Sequence, residues 1–456
     1  MSLFNKTAIS RLLLPALSFF VTVCAAQNPI FQSIYTADPA PLVYKDTLFL
    51  YVGHDEDNAP ESKYTMRDYR LFSTTDMVNW TDRGTPLSIT AFAWSGLDAN
   101  AAQCIERNGK FYWYISTADK TDTGVSIGVA VSDKPTGPFK DALGHSLIKN
   151  SETTYNKNSW DDLDPTVYID DDGQAYLTWG NNACYWVKLN EDMISYSGKI
   201  HFYDIDDKRE FGPDFEEAPW TYKRNGLYYL MYASEFPENI RYAMSKGPIG
   251  PWKYQGIVMD KLPTKSNTNH SGMIDYKGHS YFFYHKAGLP GGHDKRRSVC
   301  AEEFAYNADG TIPTIKATEE GILNPLKHMN PFQRTEAETM AWGEGIETEP
   351  SADGGMLVTD ISNGDFIKVR SVDFGSGATT FTACVAATLK GGVIDIRLDK
   401  RDGPSIGKLA VSTTGNQWKK LTTKVKGATG VHDVYLVFSA KGTEKPFQFD
   451  YWYFGK

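Results

Sequence analysis

Between Thr36 and His285 one cadence recurs five times: a stretch in which apolar and polar residues alternate, a tight turn, and a second run rich in aromatic side chains. The copies read TADPAPLVYKDTLFLY, QCIERNGKFYWYIS, DPTVYIDDDGQAYLTW, EAPWTYKRNGLYYLMY and SGMIDYKGHSYFFYH. Alternation with a period of two is the mark of a strand with two unlike faces. The turns fall at Lys45-Asp46, Asn108-Gly109, Asp172-Gly173, Asn225-Gly226 and Lys277-Gly278. Asn-Gly and Asp-Gly are strong hairpin signals because both central residues must accept positive φ. After each hairpin come two further strand-like runs, such as YRLFSTTDMVNWTDRG, SIGVAVSDKPTGPFKD and SVCAEEFAYNADGTIP. Four strands repeated every roughly 50 to 65 residues predict an all-β, five-bladed β-propeller, with the innermost strands around one axis.

Three of the five copies carry an acid at the head of the first strand. Asp38 and Asp164 stand one residue before a proline, and Glu217 stands two before. Taken singly, Asp before Pro is ordinary turn chemistry. Three acids at equivalent places in a radial repeat are instead expected to converge at one mouth of the central channel. Paired carboxyls in a pocket are what general acid and base catalysis requires.

The remaining composition narrows the function. Aromatic residues make up 13% of the 456-residue chain, which suits strands and sugar-stacking surfaces alike. A net charge of -9 argues against nucleic acid as a partner, since phosphate binding needs clustered basic residues. Lys6 and Arg11 precede the apolar run Leu12 to Val23, which is too short to span a membrane, and small residues follow at Cys24 to Ala26. Residues 1–26 therefore read as an export signal, giving a periplasmic or secreted protein, with acylation of Cys24 and a lipid-anchored surface form as the alternative. Cys104, Cys184, Cys300 and Cys384 sit singly in strand-like contexts and read as small apolar side chains rather than a disulfide framework.

A boundary is expected near Asn324 to Asn330, closing a first domain over 27–328. From Arg334 the pattern changes to short alternating strands, among them DFIKVRSVDF, TTFTACVAAT, VIDIRLDK, HDVYLVFSA and FQFDYWYF. These predict a β-sandwich of jelly-roll type over 334–456.

From about Pro29 to Pro325 the chain resembles glycoside hydrolase family 43. The likeness is carried by ADP at Ala37 to Pro39, LDPTVYIDDDGQAYLTWG at Leu163 to Gly180, EAPWTYKRNGLYYLMY at Glu217 to Tyr232, NHSGMIDYKGHSYFFYH at Asn269 to His285 and RRSVCAEEFAYNADGTIP at Arg296 to Pro313. The resemblance implies a five-bladed propeller with its active site at one end of the channel. It makes Asp38 the general base, Glu217 the general acid and Asp164 the acid that orients the proton donor and raises its pKa. Glu216 is expected on the opposite face of its strand. Arg297 matches an arginine near the third acid and the sugar. His270 matches a histidine near a bound calcium, and a hydrogen-bonded core histidine is the plainer alternative. His54 and Trp179 are weaker candidates for the pocket lining.

The C-terminal stretch resembles a family 6 carbohydrate-binding module through EAE at Glu336 to Glu338, NGDFIKV, TGNQW and FQFDYWYF. That likeness implies structural calcium at Glu336, Glu338 and Asp450, all oxygen donors suited to a hard cation. The chain departs from the pattern at Asp360, where an aromatic platform is expected, and at Gln448, where an asparagine contacts sugar. No cofactor is required for the chemistry. Within the family the chain is most like enzymes that release α-L-arabinofuranosyl groups from the arabinoxylan or arabinan of plant cell walls. A β-xylosidase is the alternative, and a non-catalytic glycan-binding propeller a more distant one.

Overall fold

The computed structural model describes residues 27–456 except 97, 156–157, 263–265, 353, 388–390 and 440–444. The expected export signal and Cys24 lie outside the described residues. The protein is all-β, and among the described residues no helix is long and apolar enough to cross a membrane.

All five expected hairpins form. Their first strands are Thr36–Tyr44, Ala102–Arg107, Thr166–Ile169, Glu217–Arg224 and Gly272–Tyr276. At Asn108-Gly109, Asn225-Gly226 and Lys277-Gly278 both turn residues take positive φ, which matches the right-handed twist of the strands they join. The third hairpin turns more widely. Asp171 to Gly173 form a three-residue loop, closed by the Gly173 N–H on the Asp170 carbonyl at 2.8 Å, with Gly173 at φ 84°.

Each hairpin continues into an antiparallel sheet whose strands follow chain order. The fifth sheet departs from expectation with three strands, ending at Ser298–Phe304. The NADGTIP stretch forms a turn instead of a fourth strand. From Ile312 on, the chain crosses to the fourth sheet, where the Ile312 N–H donates to the Tyr242 hydroxyl at 2.8 Å and the Ile315 N–H to the Val258 carbonyl at 2.7 Å. Pro313, which has no N–H to give a ladder, stands between these two bonds.

The first strands pack on one another in order. Thr36–Tyr44 lies against Ala102–Arg107, which lies against Thr166–Ile169, which lies against Glu217–Arg224, and Gly272–Tyr276 returns to Thr36–Tyr44. The Tyr222 hydroxyl reaches Met273 Sδ at 2.9 Å and joins the fourth sheet to the fifth. Apolar wedges fill the space between sheets. Tyr51, Tyr69, Trp113 and Phe139 separate the first from the second, and Tyr114, Val167, Leu177 and Trp179 the second from the third. Cys104, Cys184, Cys300 and Cys384 are free and buried.

The C-terminal unit consists of two antiparallel sheets face to face around a core that includes Ile367, Phe381, Ile396, Leu436 and Trp452. It is stitched to the first unit. Thr339–Met340 pairs with Trp80–Asp82 as an added strand, and the Asn79 side chain bonds both backbone polar groups of Arg370, at 2.8 and 3.0 Å.

One glycine fixes how closely the first strands approach. A Cβ at Gly272 would lie 2.4 Å from the Pro39 carbonyl oxygen, next to Asp38, and neither backbone can yield cheaply. Gly272→Ala is expected to destabilise the protein by about 1–3 kcal/mol, as overpacking of a dense interior does. Thermal unfolding should show a lowered melting temperature, and kcat should fall because the strand carrying Asp38 must move.

Candidate active site

Two of the three acids sit on the same backbone distortion, and the third precedes one. The first strand of the first sheet has an irregular register between Ala37 and Ala40, where Asp38 takes φ 53° ahead of Pro39. Asp164 takes φ 58° ahead of Pro165. In the fourth sheet Ala218 takes φ 56° ahead of Pro219, with a register shift between Glu217 and Trp220, so the acid stands one residue before the kink. A residue before proline prefers extended backbone, and a non-glycine residue in the left-handed region costs on the order of 1–3 kcal/mol. Such strain persists only where neighbours fix it. Here the Asp38 N–H donates to His285 Nδ1 at 3.2 Å, and the Ala218 N–H donates to Asp164 Oδ2 at 3.0 Å. Asp164 thus holds the kink next to Glu217 directly.

Asp38, Asp164 and Glu217 line one cavity of about 400 Å³, within the usual range for a small-ligand pocket. Arg297, His270, His285, Asn181 and Glu238 line it too. Arg297 is 4% exposed. Its guanidinium binds Asp55 twice, at 2.9 Å each, and places Nη1 3.1 Å from Asp38 Oδ1. As the resemblance implied, this arginine lines the same cavity as the third acid, Asp164, and its hydrogen-bonded carboxylates are Asp55 and Asp38. His285 is fully buried. It accepts the Asp38 N–H at Nδ1 and faces the Thr268 carbonyl with Nε2 at 3.0 Å, a pairing that requires the proton on Nε2. Burial and the Arg297 charge hold its pKa well below the usual histidine value, so the ring is neutral.

The other two acids lack such a cation. Asp164 is pushed well above the ordinary carboxylate range, first by burial and then by the neighbouring Glu217 and Asp38. Glu217 is also raised, chiefly by burial, against the pull of the Asn181 amide that donates to its Oε2 at 2.6 Å. Two close carboxyls in one dry site titrate as a pair, and the pair keeps a proton that isolated carboxyls would lose.

Several expectations meet the structure differently. His54 does not line the pocket; its Nδ1 lies 2.8 Å from Asp68 Oδ1. Strand alternation turns the next residue, Asp55, inward to Arg297. Trp179 is fully buried and outside the pocket, and its indole N–H donates to Asp162 at 2.6 Å, bracing the segment that leads into Asp164. Burial and Asp161 push Asp162 up to about 7. Glu216 borders the same cavity as Glu217 instead of pointing away, and it accepts the Asn182 amide at 3.2 Å. His270 lines the pocket with Nδ1 3.9 Å from Asp38 Oδ1, and burial lowers its pKa.

In the C-terminal unit Arg334 binds the Glu336 carboxylate at 2.8 Å and lies 3.7 Å from Asp450. Glu338 instead borders a cleft against Trp80 and Asp82 of the first unit, with Oε2 unpartnered and its pKa raised to about 8 by burial. Among the described residues no three His, Cys, Asp or Glu side chains are placed so as to hold a metal ion together.

Sequence reasoning missed Asp55, Asn181, Glu238 and His285, and it missed two aromatics on the pocket rim. Trp160 is 57% exposed and Phe236 63% exposed.

The family profile for glycosyl hydrolases family 43 matches residues 26–312, and that for carbohydrate binding module family 6 matches residues 336–456. The chain belongs to glycosyl hydrolase family 43. It is 35% identical to an arabinoxylan arabinofuranohydrolase of Bacillus subtilis (strain 168), over 94% of this chain and 92% of that one. A second arabinoxylan arabinofuranohydrolase, from Paenibacillus polymyxa, is 33% identical over 94% of this chain and 74% of its own. A xylosidase/arabinosidase of Bacteroides ovatus is 31% identical over 63% of this chain and 96% of its own. A crystal structure of a family 43 arabinoxylan arabinofuranohydrolase from Bacillus subtilis, in complex with cellotetraose, superposes with a TM-score of 0.81 at 32% identity, covering 95% of this chain and 98% of that one. The protein is accordingly a glycoside hydrolase.

A hydrolase that protonates its leaving group needs an acid that keeps its proton, and a raised pair such as Asp164–Glu217 is suited to that. Activity that depends on the acid form is lost as pH rises through the pair's raised pKa. Asp164→Asn removes one of the two charges and should bring the alkaline limb of the pH-rate profile down. It should slow substrates with poor leaving groups by about 10²–10⁴-fold and activated aryl glycosides far less, because the latter need little protonation. Equal losses on both substrate types, with an unmoved limb, would make Asp164 a sugar contact.

Proposed function

We propose that this protein is an inverting, exo-acting α-L-arabinofuranosidase that releases arabinofuranosyl side groups from arabinoxylan- or arabinan-type plant polysaccharide. Its likeness to two arabinoxylan arabinofuranohydrolases over nearly the whole chain carries the substrate class. Cleavage of β-xylosides is the second reading, favoured by the xylosidase/arabinosidase relative. We read the five sheets as the blades of a five-bladed propeller, supported by the succession of first strands around the acids.

In this mechanism Asp38 takes a proton from water as the water attacks the anomeric carbon, and Glu217 gives its proton to the departing glycosidic oxygen. Arg297 and the His285 contact hold the Asp38 carboxyl in direction. Asp164, bonded to the Ala218 N–H, sets the orientation of Glu217 and shares its proton. A polymer backbone would lie across Trp160 and Phe236, whose exposed rings offer stacking faces beside the cavity. A calcium ion near His270 is also proposed, with the neutral ring and the unpartnered buried Oδ1 of Asn269 in support. No step runs through it. The C-terminal unit acts in this reading as a structural appendage, because Asp360 is paired with Lys445 and Gln448 is tied to Glu349. Export through residues 1–26 completes the proposal.

The reading is tested by stereochemistry and by substrate. Proton NMR of the earliest product from an aryl α-L-arabinofuranoside should show the inverted anomer, and kcat/KM should exceed that for the aryl β-D-xyloside by about tenfold or more. Retention of configuration would refute the mechanism, and the reverse preference would favour the xylosidase.

A second test addresses the rim. Joint replacement of Trp160 and Phe236 by alanine should lower kcat/KM on polymer by about tenfold while leaving the aryl glycoside nearly unchanged, since only the polymer reaches the rings.

A further inference from the structure

A fourth carboxyl faces the pocket that the three-acid scheme does not use. Glu238 is 4% exposed, yet it lines the cavity with Asp38, Asp164 and Glu217. It lies in the turn between the strands Leu227–Ser234 and Asn239–Ser245, two residues after Phe236 on the rim. Two hydrogen bonds fix it to the segment leading into the fifth sheet. Its N–H donates to the Asn267 carbonyl at 2.9 Å, and its Oε2 accepts the Asn269 N–H at 2.5 Å. Oε1 receives no hydrogen bond from a described residue, and it is not among the fully enclosed atoms, so what remains exposed of the carboxyl opens to the cavity.

The charged neighbours that bear most on Glu238 are Glu217, Asp164 and Glu216, all acidic. Burial first, and then Glu217, push it well above the ordinary carboxylate range. A carboxyl oxygen open to the cavity can hydrogen-bond a hydroxyl, as acceptor when ionised and as donor when protonated. Other uses of a buried acid fit less well. It does not pair with Arg297, whose guanidinium is filled by Asp55 and Asp38. A purely structural link would not require an oxygen open to the pocket.

We propose that Glu238 is a substrate-binding residue whose Oε1 hydrogen-bonds a hydroxyl of the sugar held in the pocket, while the Asn269 N–H fixes its direction through Oε2. This rests on the glycosidase reading of the site. It adds a specificity element on the side of the pocket nearest Phe236. The contact selects for a hydroxyl at one position of the glycone, because a site built to bond a hydroxyl loses that bond with the deoxy analogue.

The test pairs enzyme and substrate changes in the full-length protein. Aryl α-L-arabinofuranosides lacking one hydroxyl at a time are assayed with wild type, Glu238→Ala and Glu238→Gln. Glu238→Ala should lower kcat/KM on the intact glycoside by about 10- to 100-fold, and for one deoxy substrate it should cause almost no further loss. Glu238→Gln should stay within about fivefold of wild type, since an amide keeps one acceptor for Asn269 and one donor for the sugar. Three results would overturn the proposal. One is Glu238→Ala within threefold of wild type; another is an equal loss on the intact and every deoxy substrate, the mark of a structural link. The third is a Gln variant as impaired as the Ala variant, which would deny a hydrogen bond from that side chain to the sugar. Should Glu238→Ala fail to fold, the Gln variant carries the test: it must show the wild-type ranking of the deoxy series, and any other ranking overturns the proposal. A wild type inactive on every aryl glycoside would fail the glycosidase reading itself, a different outcome from these.

Discussion

Burying several carboxyls in one cavity with a single deeply buried guanidinium is the constraint on which this structure turns. Like charges in a medium from which water is largely excluded repel strongly, and a buried charge without a partner is expensive. The protein answers unevenly. Arg297 is given to Asp55 and Asp38, while Asp164 and Glu217 have no hydrogen-bonded cation, and burial raises the pKa of both. That inequality is what chemistry with one base and one acid needs. Asp55 is as much a part of the arrangement as the acids in the cavity, since its two bonds hold the guanidinium that reaches Asp38.

The fold supplies the geometry through backbone rather than through long side chains. Kinks before Pro39, Pro165 and Pro219 orient acids at the starts of three of the five first strands. Two of the three strained residues are fixed from another sheet: Asp38 by His285 of the fifth, and Ala218 by Asp164, which leads into the third. Aromatic wedges keep the sheets at a set spacing, and Gly272 lets the first and fifth sheets come into backbone contact beside Asp38. The N-terminal segment closes the succession, with the Ile30 N–H on the Val299 carbonyl and the Thr36 N–H on the Arg297 carbonyl. The site is therefore held by long-range bonds, and a local perturbation in any of several sheets should reach it.

The hairpins and the three acids were legible because both are periodic. Alternation announces a strand, Asn-Gly announces its turn, and an acid before proline repeats in step with them. What was not legible lacks a period or depends on phase. His54 and Asp55 are neighbours, and only the register of their strand decides that Asp55 faces Arg297. Trp179 shows the aromatic character of a pocket residue but belongs to the wedge between sheets. Glu238 lies in a turn, where no alternation predicts orientation, and its burial follows from Asn269, distant in sequence. The fifth sheet stops at three strands because the chain after Gly310 finds partners in the fourth. In the C-terminal unit the strand pattern was readable, while the pairing of Arg334 with Glu336 and Asp450 was not, because a ligand motif does not say which cation sits beside it.

The central claim is that the unliganded site holds a proton on the Asp164–Glu217 pair while Arg297 serves Asp38. Carbon-13 NMR of carboxyl-labelled protein, with Asp164→Asn and Glu217→Gln used for assignment, measures this directly. The account predicts that the pair retains a proton well above the ordinary carboxylate values of about 3.9 to 4.3. Titration of both carboxyls at or below those values would contradict it.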